Sequence, residues 1–170
     1  LGLEVTDTAA LPTNWTWPEP VQVLAADNLT SLHGVLFRPS HFDPKKSYPL
    51  INYVGSGPWM SMIPVGSFNC SRDTYIDWHY FNAAALAELG FMVLQLDSRG
   101  TPLRSKAFQD DSYGWVPDAI NNEDHSAALQ QLIQRYPAID PERIGSYCAG
   151  YPSGLTHFFE NQDIYKVHVQ

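Results

Sequence analysis

The chain has 170 residues, of which 44% are hydrophobic and 16% are charged, and its net charge is −8 at pH 7. This composition is typical of one globular domain with a sizeable core, and it excludes a disordered chain. The acidic balance argues against a nucleic acid or an anionic membrane as partner, and no apolar run reaches the length of a membrane span.

The N-terminal part predicts a lead-in followed by a hairpin. Residues 1–18 contain prolines and tryptophans without periodicity, so we interpret them as a linker and assign residues 19–170 to the domain. Two β-prone runs, 21–25 and 32–37, are separated by the turn-forming pair Asp27-Asn28. This arrangement predicts an antiparallel hairpin.

The rest of the chain alternates between strands and helices. Hydrophobic runs predict strands at 49–54, 91–96, 143–147 and 166–169, and helices at 77–89 and 122–135, with loops at 59–76 and 98–117. Gly90 is placed to end the first helix, and Glu123 and Asp124 suit the positive end of the second helix dipole. The alternation predicts a three-layer α/β fold whose sheet is mostly parallel after the N-terminal antiparallel hairpin.

A cluster of small residues follows the strand at 143–147. In Ser146-Tyr147-Cys148-Ala149-Gly150, small residues stand two before and two after Cys148. This spacing is typical of the strained strand-to-helix turn that carries the nucleophile of α/β-hydrolases. The serine form of this motif, G-x-S-x-G, is absent from the chain. Cys148 is therefore a candidate nucleophile, and a buried, unreactive thiol is the alternative.

Several segments in series resemble one family. They are His33-Gly34-Val35-Leu36-Phe37-Arg38-Pro39-Ser40, Tyr48-Pro49-Leu50-Ile51, Asp97-Ser98-Arg99-Gly100-Thr101 and Asp140-Pro141-Glu142-Arg143-Ile144-Gly145. In this order they resemble the catalytic domain of prolyl oligopeptidase-like serine peptidases, in the dipeptidyl-peptidase IV-like branch. The resemblance implies an α/β-hydrolase fold, usually preceded by a β-propeller, and hydrolysis of short peptides, often after proline. It implies no cofactor.

The chain departs from the family pattern at two site positions. Counted without gaps, the family's serine falls on Gly150, whereas a two-residue deletion places it on Cys148. The family's oxyanion-binding tyrosine falls on Gly55, and Tyr53 lies two residues earlier. The resemblance implies an oxyanion site formed by the Ala149 N–H and, if Tyr53 takes the place of the family's tyrosine, by the Tyr53 hydroxyl. Loss of one oxyanion donor costs roughly 10²–10³ in turnover, so we expect weak or absent activity.

The order of the catalytic residues raises a further expectation. In this fold the nucleophile is followed along the chain by the acid and then the histidine, and only 22 residues follow Cys148. His157 and His168 do not occupy the family's histidine position. We therefore expect a hydrolase domain that is incomplete at its C-terminus, separated from a missing propeller, and inactive alone.

Two other functions stay open: a non-catalytic binding module with the hydrolase fold, and a thiol hydrolase resembling dienelactone hydrolases, whose nucleophile turns also carry cysteine. The six scattered histidines have no ligand spacing, so no metal site is predicted. Three N-x-[ST] sequons, beginning at Asn14, Asn28 and Asn69, favour an extracytoplasmic protein, secreted or periplasmic. We expect Asp97 and Arg99 to organise the loop that follows their strand. We expect Trp59 to pack in the core or at its rim, or to line a pocket.

Overall fold

A computed structural model describes residue 9 and residues 13–55, 57–63, 75–114, 121–148 and 158–170. Within these ranges one sheet contains the strands β1 (Glu19–Leu24), β2 (Ser31–Phe37), β3 (Tyr48–Val54), β4 (Met92–Asp97), β5 (Ile139–Cys148) and β6 (Val167–Val169). The helices are α1 (Tyr75–Glu88), α2 (Lys106–Gln109) and α3 (Asn122–Arg135). The strand order is β1-β2-β4-β3-β5-β6. Strands β4, β3, β5 and β6 are parallel, while β1 and β2 form an antiparallel hairpin beside β4. The predicted mostly parallel α/β sheet with an N-terminal hairpin is confirmed.

The two faces of the sheet are covered by different helices. Strand β4 lies inside the sheet, and all six of its residues are buried. The core on one face includes Leu94 and Leu129, the second of which comes from α3. On the other face Val93 packs in a cluster with Ala83 of α1. None of the helices in the described ranges is long and apolar enough to cross a membrane.

The hairpin turn has the chemistry that its sequence predicts. The Asp27 carboxylate accepts hydrogen bonds from the backbone N–H groups of Leu29 and Thr30, each at 2.8 Å, and from the Thr30 hydroxyl at 2.6 Å. These hydrogen bonds lower the pKa of Asp27 to about 2, and the bond from the Thr30 hydroxyl has the largest effect. Asn28 adopts the left-handed conformation with φ 58°, which asparagine tolerates better than most residues.

Helix α3 covers the outer edge of β1 with polar side chains. The Gln131 side chain accepts from the Leu24 N–H at 2.9 Å and donates to the Leu24 carbonyl at 2.8 Å. Arg135 Nη1 donates to the Gln22 carbonyl at 3.0 Å. Unpaired backbone groups on an edge strand invite pairing with another chain, so these contacts protect the edge.

The structure differs most from the predicted elements at two places. The stretch 98–117 was predicted as a loop, but it contains α2, where the Ser105 hydroxyl accepts from the Phe108 N–H at 3.2 Å and the Phe108 side chain is buried. A helix of one turn is too short to show hydrophobic periodicity. Strand β5 begins at Ile139 instead of residue 143, because the segment between the two paired parts of this strand bulges out of the pairing with β3.

The helix ends agree more closely with the sequence. Helix α3 has the predicted bounds, and Gly90 follows α1 in a left-handed conformation with φ 103°. The Gly90 N–H donates to the Ala87 carbonyl at 2.9 Å. Glycine is favoured in this position because a Cβ atom would be strained at positive φ.

Candidate active site

Cys148 lies where the sequence places the candidate nucleophile. It is the last residue of β5, and its neighbour across the parallel pair is Val54, the last residue of β3. Ligands of open α/β sheets bind at this carboxyl edge. The Cys148 side chain is buried, with 1% of the residue exposed. Ala149 and Gly150, which complete the predicted turn, lie outside the described residues, so the turn and the Ala149 oxyanion donor stay predictions.

Tyr53 faces α1. Its residue is fully buried, and its hydroxyl lies 2.7 Å from Nδ1 of His79 on this helix. The Tyr53 ring packs edge-on against Tyr147, with centroids 4.8 Å apart. Since successive side chains on a strand point to opposite faces, Tyr147 and Cys148 lie on different sides of the sheet. Tyr53 thus packs on the side opposite to Cys148, and its role as an oxyanion donor stays a prediction.

Burial keeps the partner of Tyr53 neutral. Desolvation lowers the pKa of His79 to about 4, because the charged imidazolium is disfavoured away from water. Near neutral pH the His79 imidazole is therefore uncharged in its contact with the Tyr53 hydroxyl.

The space next to Gly55, the position of the family's tyrosine, is filled by Met62. A Cβ atom built on Gly55 would lie 2.9 Å from Sδ and 3.2 Å from Cε of Met62. The Met62 residue is 2% exposed. A side chain at position 55 would therefore require Met62 to move.

Asp97 fixes the segment that carries Met62. It ends β4, and its Oδ1 accepts from the Met62 N–H at 2.7 Å, while its Oδ2 is hydrogen-bonded to the Ser61 hydroxyl. We expected Asp97 to organise the loop that follows its own strand, but its carboxylate organises the loop after β3.

Ser61 adds further contacts to this segment. Its hydroxyl donates to Asp97 Oδ2 and lies 3.1 Å from the Ile63 carbonyl, and its Oγ accepts from the Ile63 N–H at 3.2 Å. Burial raises the pKa of Asp97, whereas the hydrogen bonds from Ser61 and the Met62 N–H oppose this shift.

Asp124 is a buried ligand of Arg99, and its interpretation as a helix-dipole residue was incomplete. Its residue has 0% exposure, and its carboxylate accepts from Arg99 Nη2 at 2.8 Å and from the Arg99 N–H at 2.9 Å. It also accepts from the Ala26 N–H at 2.9 Å. One carboxylate thus joins α3, the loop after β4 and the hairpin. Through this contact Arg99 organises the loop that follows its strand, as expected. Hydrogen bonding to Asp124 raises the pKa of Arg99.

A buried polar network lies on the α3 face of the sheet. Asn52 of β3 donates to the Tyr165 hydroxyl at 2.6 Å and lies 3.2 Å from His125 Nδ1. On the adjoining strands Ser146 Oγ lies 2.8 Å from Nδ1 of His168. This network was not predicted from the sequence, although an asparagine inside the apolar run 50–54 is a signal for it. No group of three or more potential metal ligands occurs in the described ranges.

The sheet order and the position of Cys148 define an α/β-hydrolase-type domain, and the comparisons with known proteins agree. The prolyl oligopeptidase family matches residues 78–168, more than half of the chain. The chain therefore belongs to the prolyl oligopeptidase family. A crystal structure of a protein provisionally assigned as dipeptidyl aminopeptidase IV, from Bacteroides ovatus, is similar with a TM-score of 0.73 and 27% identity, covering 89% of this chain and 20% of that one.

Curated relatives give the same result. Human dipeptidyl peptidase 8 is 28% identical over 169 residues, which cover 97% of this chain and 18% of the relative. The uncharacterized peptidase YuxL from Bacillus subtilis is 26% identical over 148 residues, covering 85% of this chain and 20% of the relative. The chain thus spans about one fifth of the length of these proteins.

Proposed function

We propose that this chain is part of the catalytic domain of a peptidase that hydrolyses short peptides, of the dipeptidyl- or prolyl-peptidase type. Family membership over residues 78–168 carries this proposal, because that range includes β5 and the residue at its carboxyl end. The length of the relatives supports a larger protein, in which a propeller domain precedes residue 19 and restricts access to the site.

Cys148 is the proposed nucleophile. Its thiolate would attack the scissile carbonyl carbon, the Ala149 N–H would stabilise the oxyanion, and the amine would leave as the thioester forms. Water would then hydrolyse the thioester. This chemistry needs a base and an orienting acid, and the 22 residues after Cys148 hold no histidine at the family's position. We therefore propose that the isolated chain is inactive.

A non-catalytic binding module is the second candidate. The observation that favours it is the loss of space at Gly55, where Met62 lies, together with the pairing of the Tyr53 hydroxyl with His79. A fold without the family's oxyanion tyrosine would keep its cleft for peptides but lose a large part of the rate acceleration.

The assay compares hydrolysis of alanyl-prolyl-p-nitroanilide by the isolated 170-residue chain and by the longer protein of which we propose it is a part. We expect no turnover by the isolated chain, and turnover by the longer protein that Cys148→Ala abolishes. Turnover by the 170-residue chain would contradict the proposed inactivity. Turnover by the longer protein that survives Cys148→Ala would contradict the nucleophile.

A thiol probe separates the peptidase from the binding module. Iodoacetamide labels an activated thiolate quickly and a buried neutral thiol slowly. For the peptidase we expect the longer protein to be labelled at Cys148 faster than its unfolded form, with Cys70→Ala as the control for the second cysteine. Labelling of Cys148 only after unfolding would favour the binding module.

We also propose an extracytoplasmic location, secreted or periplasmic. Asn28, the acceptor of one sequon, is exposed at the tip of the hairpin. When the protein is expressed through a eukaryotic secretory pathway, its mass should fall on treatment with an N-glycosidase. If the wild type, Asn14→Gln and Asn28→Gln all show no change in mass, the result counts against this location.

A further inference from the structure

A tight turn after β3 presents a tryptophan to solvent. The backbone N–H and carbonyl groups of Gly57 and Met60 pair in both directions, each at 3.1 Å. Trp59 lies within this turn and is 50% exposed. Its ring packs directly on Gly57, where an added Cβ atom would lie only 2.7 Å from Trp59 Cζ2. Glycine at position 57 is therefore needed for the ring to lie where it does.

The turn is fixed on both of its sides. The Pro58 carbonyl accepts from Gln109 Nε2 of α2 at 3.1 Å, and the Met62 N–H donates to Asp97 of β4 at 2.7 Å. Residues 60–62, which follow the tryptophan, are all buried. The indole is thus an exposed aromatic group on a held backbone, an arrangement that lowers the entropic cost of binding.

The turn lies at the edge of the sheet where the candidate nucleophile lies. Val54 is the strand neighbour of Cys148. Trp59 follows Val54 by five residues, so their Cα atoms are at most about 18 Å apart even in an extended chain. The pairing of Gly57 with Met60 folds this segment and brings the two closer. Trp59 is therefore within reach of a short peptide bound at Cys148.

The turn that carries the indole is itself apolar. Met60 and Met62 flank the tryptophan with buried thioether side chains. The carboxyl group of Asp97, which binds this segment, is engaged by Ser61 and the Met62 N–H. Residues 57–63 contain no acidic side chain that would add to the attraction of the ring for a cation, so we argue for an apolar group.

We propose that Trp59 is a specificity-determining residue that binds an apolar or aromatic side chain of the peptide. The proposal rests on the proposed peptidase function, since it assigns a subsite of the same cleft. Aromatic pairs add about 0.5–1.5 kcal/mol beyond the burial of area, which is roughly a 2- to 10-fold preference for phenylalanine over a side chain without a ring.

The test measures equilibrium binding by calorimetry, so that it does not depend on cleavage. A series of N-methylated, uncleavable tetrapeptides carries alanine, leucine, phenylalanine or arginine at each position in turn, and is added to the longest protein that contains this chain. We expect one position at which phenylalanine binds about 10-fold more tightly than alanine, and a loss of this preference in Trp59→Ala. Trp17→Ala is the matched control, because Trp17 is 54% exposed and precedes β1 at the opposite edge of the sheet.

Each outcome decides the proposal. Loss of the phenylalanine preference in Trp59→Ala but not in Trp17→Ala supports the subsite even if no peptide is ever cleaved, in which case only the peptidase function fails. A preference that persists in Trp59→Ala overturns the subsite, and so does the absence of peptide binding by the wild type. A preference for arginine that Trp59→Ala removes would assign a cation site instead and would also overturn it.

Discussion

The contact between Arg99 and Asp124 offers the sharpest test of how this domain is held together. Replacing Arg99 with methionine keeps a side chain of similar length but removes the guanidinium. The Asp124 carboxylate would then stay fully buried without its charged partner. Removal of one member of a buried ion pair costs about 3–5 kcal/mol, because the remaining charge is uncompensated.

The geometry points to the lower end of this range. In Arg99→Met the carboxylate keeps two backbone donors, the N–H groups of Ala26 and of residue 99, each at 2.9 Å. The guanidinium is also partly exposed, with 19% of the side chain accessible. We therefore expect a loss of about 3 kcal/mol in the free energy of unfolding. With a urea m-value of about 2 kcal/mol/M, the midpoint falls by about 1.5 M.

Urea unfolding followed by circular dichroism measures this change. Arg104→Met is the matched control, since Arg104 is exposed, donates to the Ser31 carbonyl at 2.6 Å and lies 4.0 Å above the Phe108 ring. We expect it to cost about 1 kcal/mol or less. Equal midpoints for the two variants would refute the conclusion that the buried pair joins the hairpin, the loop and the helix.

Three further predictions concern pH, the sheet edge and the space near the site. Burial lowers the pKa of His125 from 6.5 to about 4, so between these pH values the unfolded chain binds a proton at His125 and the folded chain does not. The free energy of unfolding should therefore fall as the pH decreases from about 6.5 to about 4. His125→Gln should reduce this dependence on pH, whereas His33→Gln, at an exposed position, should not. The same dependence in the wild type and in both variants would contradict a buried neutral imidazole. Gln131→Leu should uncover the edge of β1 and so promote self-association, measured by light scattering. Gln130→Leu, at an exposed position on the same helix, should not. Equal self-association of the two variants would exclude edge protection. Gly55→Tyr should destabilise the fold by about 1–3 kcal/mol through overpacking, and adding Met62→Ala should recover part of the loss in the same urea assay; no recovery would show that Met62 is not the obstacle.

Much of the fold follows from local sequence patterns. The apolar runs before Asp97 and after Tyr48 are long enough to identify buried strands, and α3 has the predicted bounds. The Asp27-Asn28 turn was also recognisable, because the residues that satisfy its backbone are two and three positions apart. These features depend on neighbours along the chain, and a single sequence contains that information. The Cys148 motif belongs to the same class, since the spacing alone proposes the nucleophile at the end of its strand.

The details of the candidate site depend on contacts between distant residues. Asn52 meets Tyr165 across 113 positions, Asp97 reaches Met62 across 35, and Arg99 binds Asp124 across 25. No local period encodes such pairs, because each forms only after parallel crossovers bring separate elements to one edge of the sheet. The sequence by itself determined the order of the elements and the position of the candidate nucleophile along the chain. Only the tertiary structure decided that Tyr53 packs under α1, that Met62 fills the space at Gly55 and that Trp59 stands exposed, because packing fixes these orientations.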